Sequence, residues 1–171
     1  MKIGANMPCL CGSGNKYKRC CRDKQAAVEI RKMVEADISH LHTMSASDKA
    51  EADMINKGIE GIVNKHIDLE YAYIAESNGE IVGFVQGMET PENIPNEFRN
   101  TSGELELSIQ QLYVKPRYRG EEIGVQLMKA IENKSEHSRF MVFHDPKWQG
   151  YYMKQGYIYG ANPTIGRKVI T

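Results

Sequence analysis

The chain has 171 residues, with 22 lysines and arginines against 22 aspartates and glutamates, so its formal net charge is zero. Hydrophobic residues make up 41%, enough for a sizeable core, and this composition excludes an intrinsically disordered chain. The zero net charge argues against a globally basic nucleic-acid binder but is compatible with local basic patches. The length predicts one domain with at most a small appendage. Without an apolar run of 18 residues or an apolar signal region, we expect a cytosolic protein.

All four cysteines lie near the start of the chain, at Cys9, Cys11, Cys20 and Cys21. In a reducing cytosol, clustered thiols spaced C-x-C-x8-C-C are typical of a metal site. Two disulfides or a redox pair are the alternatives, although adjacent cysteines rarely bridge without strain and C-x-C is not the C-x-x-C redox spacing. Because about twenty residues cannot build a core, an ion would have to stabilise this segment, and structural zinc supplies roughly 10–16 kcal/mol in small fingers.

The stretch from Pro8 to Cys21, PCLCGSGNKYKRCC, resembles the SEC-C zinc motif found in the C-terminal tail of the Sec translocase motor ATPase. The match includes C-x-C, G-S-G, K-Y-K and C-C. The resemblance implies a structural Zn²⁺ held by all four cysteines within a small unit of residues 1–25. It also implies a docking role toward a protein partner.

Residues 28–171 predict strands and helices in alternation. Residues 28–33 alternate as a strand, and residues 35–66 have helical spacing in two segments. Strands at 71–76 and 81–88 are joined by Asn-Gly, a strong hairpin signal, and a loop rich in Pro and Asn covers 90–103. The remaining elements are a strand at 104–114, a helix at about 121–134, a strand at 139–143, a helix at 148–155, and strands at 156–159 and 164–171. The order β-α-α-β-β-β-α-β-α-β-β predicts an α/β fold with a mixed sheet flanked by helices.

The strand at 104–114 contains a break in its alternation. Leu107 and Ile109 continue one apolar phase, and the phase restarts one position late at Leu112 and Val114. A β-bulge inside the strand would produce such a slip, and a bulge next to a cleft re-aims side chains. A strand end followed by a loop explains the pattern equally well.

The sequence LYVKPRYRGEEIGVQLM, from Leu112 to Met128, predicts a strand, a basic turn and the start of a helix. Backbone N–H groups at a helix N-terminus, with the helix dipole behind them, suit a pyrophosphate. Arg117 and Arg119 lie in the turn, where guanidinium groups pair with phosphate oxygens. Alone, this pattern is weak evidence for phosphate binding, because many strand-turn-helix units contain two arginines.

This segment resembles the acetyl-CoA signature of the GNAT N-acetyltransferases, Q/R-x-x-G-x-G/A, preceded by a V-x-P-x-Y-R-G run. The resemblance extends to most of residues 28–171, including GYYMKQGYIYG near the end. It implies a GNAT-like domain that uses acetyl-CoA, with a strand pairing with the pantetheine arm and the following turn cradling the pyrophosphate. The implied cofactor-binding residues are Leu112, Tyr113, Val114, Arg119, Gly120, Glu121, Glu122, Ile123, Gly124, Val125 and Asp145.

Two positions depart from the family pattern. Glu122 occupies the slot where the family usually has glycine, and a carboxylate pointing at phosphates is repulsive. Pointing to solvent, the same carboxylate would complement the helix dipole. Asp145 stands where the family often has an asparagine that contacts the cofactor.

Acyl transfer to an amine requires a base, because a lysine-like amine has a pKa near 10.4, and an acid for the departing thiolate. The absence of cysteine after Cys21 favours direct transfer. The YYMKQGY block resembles the family's F-Y-x-K-x-G-F and implies Tyr152 as the general acid, against the alternative that these tyrosines only pack a helix. Glu106 is the candidate base, acting directly or through water, although alternating charges on a strand are usually solvated; His144 is the next candidate.

The resemblance implies an acetyl-CoA-dependent N-acetyltransferase that acts on a primary amine of a small molecule or protein. The alternative is a weakly catalytic or non-catalytic GNAT-like adapter that binds a protein through its zinc unit. Residues 1–25 hold six basic side chains and one acidic one, whereas the rest holds 16 basic and 21 acidic. We therefore expect a basic zinc unit able to meet an acidic protein surface or phosphates, and an acidic body suited to a cationic amine.

Overall fold

The computed structural model describes residues 4–9, 14–20, 28–41, 69–90 and 105–170. Within them, seven strands form one mixed sheet in the order β1-β2-β3-β4-β5-β7-β6. The strands are β1 (Glu29–Lys32), β2 (Ala72–Ser77), β3 (Glu80–Glu89), β4 (Leu107–Val114), β5 (Arg139–Phe143), β6 (Ile158–Tyr159) and β7 (Ile165–Val169). The α-helices of the described part are α1 (Glu35–Leu41), α2 (Ile123–Lys134) and α3 (Gln149–Met153). The predicted α/β fold with a mixed sheet is confirmed.

Some predicted elements fall outside the described residues. The second helical segment between 42 and 66 and the loop from 91 to 103 belong to them. The hairpin prediction is confirmed: β2 and β3 pair antiparallel, and Asn78 and Gly79 between them have φ values of 52° and 75°. Such positive φ values are what an Asn-Gly hairpin turn requires. None of the helices in the described part is long and apolar enough to cross a membrane.

The two faces of the sheet carry different clusters. On one face, here called the α2 face, Val85 of β3 and Val142 of β5 pack with Leu127 and Ile131 of α2. On the other, the α1 face, Phe84 of β3 and Tyr113 of β4 pack with Leu41 of α1. The α2 face is therefore filled by a long amphipathic helix over the middle of the sheet. Among the described elements, α2 closes this face of the sheet, which leaves the α1 face and the gap between strands as approaches to the centre of the sheet.

A buried polar network joins α2 to the end of the chain. Tyr157 donates a hydrogen bond of 2.9 Å to Glu132 of α2, and Lys168 of β7 donates one of 2.7 Å to the other oxygen of the same carboxylate. Glu132 is almost fully buried, so both partners are needed to offset its desolvation. The network holds α2, the segment after α3 and β7 in one arrangement.

Candidate functional site

Strands β4 and β5 form the one parallel pair among the described strands, and their pairing is short. Leu107 pairs with Phe140 and Ile109 with Val142, and no described strand pairs with β4 beyond Ile109 on that side. The slip predicted from sequence is a β-bulge: Gln86 of β3 pairs with Gln111 and Gly87 with Ile109, which leaves Gln110 as the extra residue. On the side of β5, the backbone of residues 110–114 thus pairs with no described strand, and a strand edge of this kind suits an extended ligand.

The bulge also explains the apolar pattern of β4. Leu107 and Ile109 before it, and Leu112 and Val114 after it, all pack into the cluster on the α2 face. Without the extra residue, Leu112 and Val114 would turn to the opposite face, because side chains alternate along a strand. The bulge therefore lets one strand keep its core contacts while its edge separates from β5.

The turn between β4 and α2 presents a run of backbone donors. Gly120 and Glu122 both adopt left-handed conformations, with φ values of 84° and 62°. The N–H groups from Gly120 to Val125 donate to no described residue, and the first intrahelical bond is from Gln126 N to Glu122 O at 2.9 Å. Consecutive unpaired N–H groups at the start of a twelve-residue helix form an anion-binding site. Glu122, exposed at its N-cap position, makes no side-chain capping bond.

The basic side chains of this turn are held by the protein. Glu80 accepts from Lys115 at 2.8 Å and also from Arg117. Arg119 donates from Nε to the carbonyl oxygen of Val114 at 2.8 Å, which ties the turn to the end of β4. The predicted phosphate contacts of Arg117 and Arg119 therefore compete with contacts that shape the turn. Backbone N–H groups are the donors that remain open.

Tyr152 of α3, the predicted general acid, lies in an aromatic cluster next to the end of β5. Its ring stacks on His144 with centroids 4.7 Å apart and meets Tyr151 and Tyr157 edge-on. Burial raises the pKa of Tyr152 above its usual range, so the phenol keeps its proton at neutral pH. Its hydroxyl makes no hydrogen bond to the rest of the described chain.

His144 is fixed at both ring nitrogens. Nδ1 contacts the carbonyl oxygen of Asp145 at 2.7 Å, and Nε2 contacts the hydroxyl of Tyr159 at 2.5 Å. A carbonyl only accepts, so Nδ1 donates to Asp145, while Nε2 and the Tyr159 hydroxyl form the second hydrogen bond. His144 therefore supports the ring of Tyr152 and has both ring nitrogens engaged in hydrogen bonds.

Asp145 caps the turn that leads into α3. Its carboxylate accepts a 3.0 Å hydrogen bond from the backbone N–H of Lys147 and forms an ion pair with the same lysine at 3.4 Å. These contacts, the backbone hydrogen bond first, lower the pKa of the Asp145 carboxyl. The side chain thus has a structural role at the position where the resemblance implies a cofactor contact.

Glu106, the predicted base, is buried on the α1 face just before β4. Oε1 lies 3.2 Å from Nε of Arg167, which reaches across from β7, and Oε2 is buried without a hydrogen-bond partner. Burial raises the pKa of Glu106, while the charges of Arg167 and Arg139 oppose the rise. Glu106 lies four residues before Gln110, about 13 Å along an extended strand, so it has no direct contact with groups at the bulge. Glu104, which precedes it, lies outside the described residues.

Sequence reasoning missed Gln86. Its side chain is fully buried on β3, its Nε2 donates to Oε1 of Gln111 at 3.0 Å, and its own Oε1 has no partner. The signal available in the sequence was a single polar residue inside the apolar run IVGFVQGM. Polar residues at such positions are usually functional or strained.

The N-terminal segment forms a small knuckle. Pro8 bridges Lys16, and Cys9 N donates to Asn15 O at 2.7 Å, with Gly14 at a φ of 70° in the reversal. Cys9 is a buried free thiol and Cys20 closes a 3₁₀ turn, whereas Cys11 and Cys21 lie outside the described residues. Among the residues that are described, no cluster of three or more Cys, His, Asp or Glu side chains forms a metal site.

Comparison with known protein families gives two matches. The acetyltransferase (GNAT) domain matches residues 68–159, more than half of the chain, and the SEC-C motif matches residues 6–23. Two curated relatives match over short stretches: a protein translocase subunit SecA of Desulforudis audaxviator is 64% identical over 28 residues, and a UPF0225 protein of Geobacter sulfurreducens is 75% identical over 20. These matches cover 15% and 12% of this chain, and they span only 3% and 12% of those relatives' lengths.

Solved structures match the body of the chain. A GNAT family acetyltransferase from Brucella melitensis in complex with acetyl-CoA has a TM-score of 0.59 at 16% identity, covering 86% of this chain and 90% of that one. A GNAT family N-acetyltransferase from Escherichia coli in complex with CoA has a TM-score of 0.59 at 14% identity, covering 84% and 82%. At such identities these likenesses show the fold. With the domain match over residues 68–159, they establish that the chain belongs to the GNAT acetyltransferase family and carries a SEC-C motif at residues 6–23.

Proposed function

We propose that this protein is an acetyl-CoA-dependent N-acetyltransferase that transfers the acetyl group directly to a primary amine. The observation that carries the proposal is the edge of β4 after the bulge, which pairs with no described strand on the side of β5 and leads into N–H groups at the start of α2 that donate to no described residue. An extended arm ending in a pyrophosphate fits a strand edge followed by a helix N-terminus. When bound, acetyl-CoA supplies the thioester, and its C–S bond breaks as the N–C bond forms.

The residues that would hold acetyl-CoA follow in chain order. Leu112, Tyr113 and Val114 offer the strand edge, and the backbone from Gly120 to Val125 offers donors for the phosphates. Asp145, the remaining predicted cofactor contact, accepts the backbone N–H of Lys147 through Oδ1, so a contact with the cofactor would use its exposed carboxylate beside that bond.

The proposed general acid and general base lie in two different regions of the protein. The unpartnered hydroxyl of Tyr152, kept protonated by burial, supplies a proton to the departing sulfur. Glu106 is the proposed final acceptor of the amine's proton, which would have to pass along a chain of several waters, since about 13 Å of strand separates Glu106 from the bulge. Direct transfer needs no nucleophile of the protein, in keeping with a body that has no cysteine.

The SEC-C segment is proposed to hold a structural Zn²⁺ through Cys9, Cys11, Cys20 and Cys21. Four thiolates are a donor set typical of closed zinc sites, and the buried Cys9 lies in a segment with no apolar cluster of its own among the described residues. The ion would replace the missing core. Even with four thiolates bound to zinc, the excess of basic side chains favours an acidic protein partner at this segment.

The test begins with calorimetry of acetyl-CoA binding, followed by a screen of spermidine, kanamycin, free amino acids and a lysine peptide as acceptors. We expect binding at micromolar concentration and acetylation of at least one amine, with turnover at least tenfold lower in Tyr152→Phe. Tyr157→Phe, an aromatic neighbour with a structural hydrogen bond, is the matched control and keeps turnover at temperatures where it is folded. Absence of acetyl-CoA binding at millimolar concentration contradicts the proposal; binding without acetylation of any amine favours the adapter.

Metal analysis by mass spectrometry tests the zinc proposal separately. We expect one zinc per chain, lost in a Cys9→Ser, Cys20→Ser double variant. A metal-free wild-type protein would contradict it.

A further inference from the structure

Several polar atoms on the α1 face are buried without a hydrogen-bond partner. They include Gln86 Oε1 on β3, Thr90 Oγ1 at the end of β3 and Glu106 Oε2 before β4. Buried polar groups in folded proteins nearly always have a partner, so each such atom marks a place where a ligand or water can bind. Of these atoms, Gln86 Oε1 is the one at the bulge.

The register fixes the position of Gln86. It pairs with Gln111, and its next neighbour Gly87 pairs with Ile109, so Gln86 flanks the bulge at Gln110. β4 loses its partner β5 directly after Ile109, which is where an acyl group carried on the open strand edge would end. The α2 face at this level is filled by Ile131 and Leu127, so an acceptor must come from the α1 face, on which the Gln86 side chain lies.

The orientation of the Gln86 amide is also fixed. Its Nε2 donates to Oε1 of Gln111 at 3.0 Å, and this hydrogen bond fixes which end of the amide carries the NH₂ group. The carbonyl side is left as a buried acceptor with no donor from the protein. A held acceptor loses little side-chain entropy on binding, because the protein has already ordered it.

We propose that Gln86 is an acceptor-binding residue whose side-chain carbonyl oxygen receives an N–H of the primary amine that becomes acetylated. This inference rests on the proposed acetyl transfer. A primary amine in its neutral form has two N–H bonds and one lone pair, so one N–H donates to Gln86 while the lone pair stays available for attack.

The neutrality of Gln86 matters for the reaction. A carboxylate in contact with the nitrogen would favour the ammonium form, which has no lone pair. An amide oxygen binds the nitrogen without that penalty, and the neighbouring Gln111 and Ser108 on the same face are neutral as well. The carboxylate of Glu106 lies about 13 Å further along the strands, close enough to attract a cation but not to hold the reacting nitrogen.

The test compares Gln86→Met with Gln111→Met. Both variants break the bond between the two glutamines and have nearly unchanged volume, but only Gln86→Met removes the acceptor oxygen. With the best acceptor from spermidine, kanamycin, free amino acids and a lysine peptide, we expect kcat/KM for the amine to fall about five- to tenfold in Gln86→Met, in line with one lost hydrogen bond. We expect a change of twofold or less in Gln111→Met, and an unchanged Kd for acetyl-CoA in both.

The outcomes separate this inference from the function on which it rests. Equal loss in the two variants, or no loss in Gln86→Met, overturns the role of Gln86 while leaving N-acetylation in place. A wild-type protein that acetylates none of the amines overturns both. Ser77→Ala, which removes another buried and unpartnered oxygen on β2, reports whether such a change alone alters turnover, and a five- to tenfold fall there also counts against the inference.

Discussion

The phenol of Tyr151 fills the space that a side chain at Gly124 would need. A Cβ built on Gly124 lies 2.6 Å from the Tyr151 hydroxyl oxygen and 3.6 Å from the ring carbon that carries it. Glycine in the first turn of α2 is therefore required by packing, and the same contact brings α3 against the proposed phosphate-binding turn. The hydroxyl itself is buried without a hydrogen bond, and burial raises the pKa of Tyr151 to about 12.

This contact predicts that Gly124→Ala changes stability in opposite directions in the wild-type protein and in Tyr151→Phe. Gly124→Ala should destabilise the wild-type protein by about 1–3 kcal/mol, because the added methyl group overlaps the Tyr151 oxygen. In Tyr151→Phe the nearest atom is an ordinary contact away, so the same substitution should stabilise by up to about 1 kcal/mol through helix propensity. Urea unfolding of the four proteins measures both values. Equal effects of Gly124→Ala in the two backgrounds would show that the hydroxyl is not the obstacle.

Glu122 carries a cost that glycine would avoid. A left-handed conformation costs a residue with a side chain about 1–2 kcal/mol. Glycine removes this cost, but part of the gain in stability is lost because glycine also makes the unfolded chain more flexible. We expect Glu122→Gly to raise stability by up to about 1 kcal/mol and to tighten acetyl-CoA binding about fivefold, because a carboxylate leaves the neighbourhood of the phosphates.

The matched control is Asn78→Gly, which changes the other described non-glycine residue with positive φ, at 52° in the β2–β3 turn. It should leave the Kd for acetyl-CoA unchanged. Calorimetry at low and high salt adds a second check, since the gain from Glu122→Gly should shrink as ions screen the charge. An equal gain at both salt concentrations would point to backbone geometry instead of charge.

The sequence predicted the elements well because their signals are local. Three of these signals involve only neighbouring residues: the Asn78–Gly79 turn, the apolar phases around Gln110 and the glycine slot at Glu122. In the structure they correspond to a hairpin turn, a β-bulge and a left-handed residue. Phase slip and bulge agree because side-chain direction is tied to strand register. Contacts between distant strands could not be predicted in this way. Arg167 reaches Glu106 across β5, and nothing near either residue in the sequence signals that pair.

An ion pair between the half-buried Arg31 and the buried Asp37, near the start of the sheet, predicts acid sensitivity. Asp37 accepts two 2.8 Å hydrogen bonds from Arg31 and a third of 2.9 Å from the N–H of Val34. The bond with Arg31 lowers the pKa of Asp37 in the folded protein, against the effect of burial. The folded state then binds fewer protons than the unfolded state, so this stabilisation is present above the unfolded value, near pH 4, and is lost as pH falls through the lower folded pKa.

The variant Asp37→Asn tests whether the stabilisation by Asp37 is present at neutral pH and lost at low pH. Its melting temperature should lie below that of the wild type at pH 7, and the difference should shrink steadily as pH falls below about 4. Glu35→Gln, an exposed carboxylate in the same helix, is the control and should change stability little at either pH. A difference that stays constant with pH would mean that Asp37 acts through packing alone.

Arg167 sets the ionisation of the proposed base. Burial raises the pKa of Glu106, and the nearby charge of Arg167 holds that rise in check. A base works only when ionised, so kcat/KM should fall as pH drops through the pKa of Glu106. Arg167→Met removes the opposing charge and should move this acidic limb to higher pH, whereas Arg167→Lys should largely keep it.

The test is to measure kcat/KM of each variant between pH 5 and 9, at a temperature where the variant is folded. Glu106→Gln has no carboxyl to titrate, so it should lower the rate and abolish the limb. If Arg167→Met leaves the limb in place, Glu106 is not the group that titrates in the reaction. If Glu106→Gln also keeps full turnover, the Glu106–Arg167 pair is a structural element of the α1 face, and the amine's proton leaves by another route.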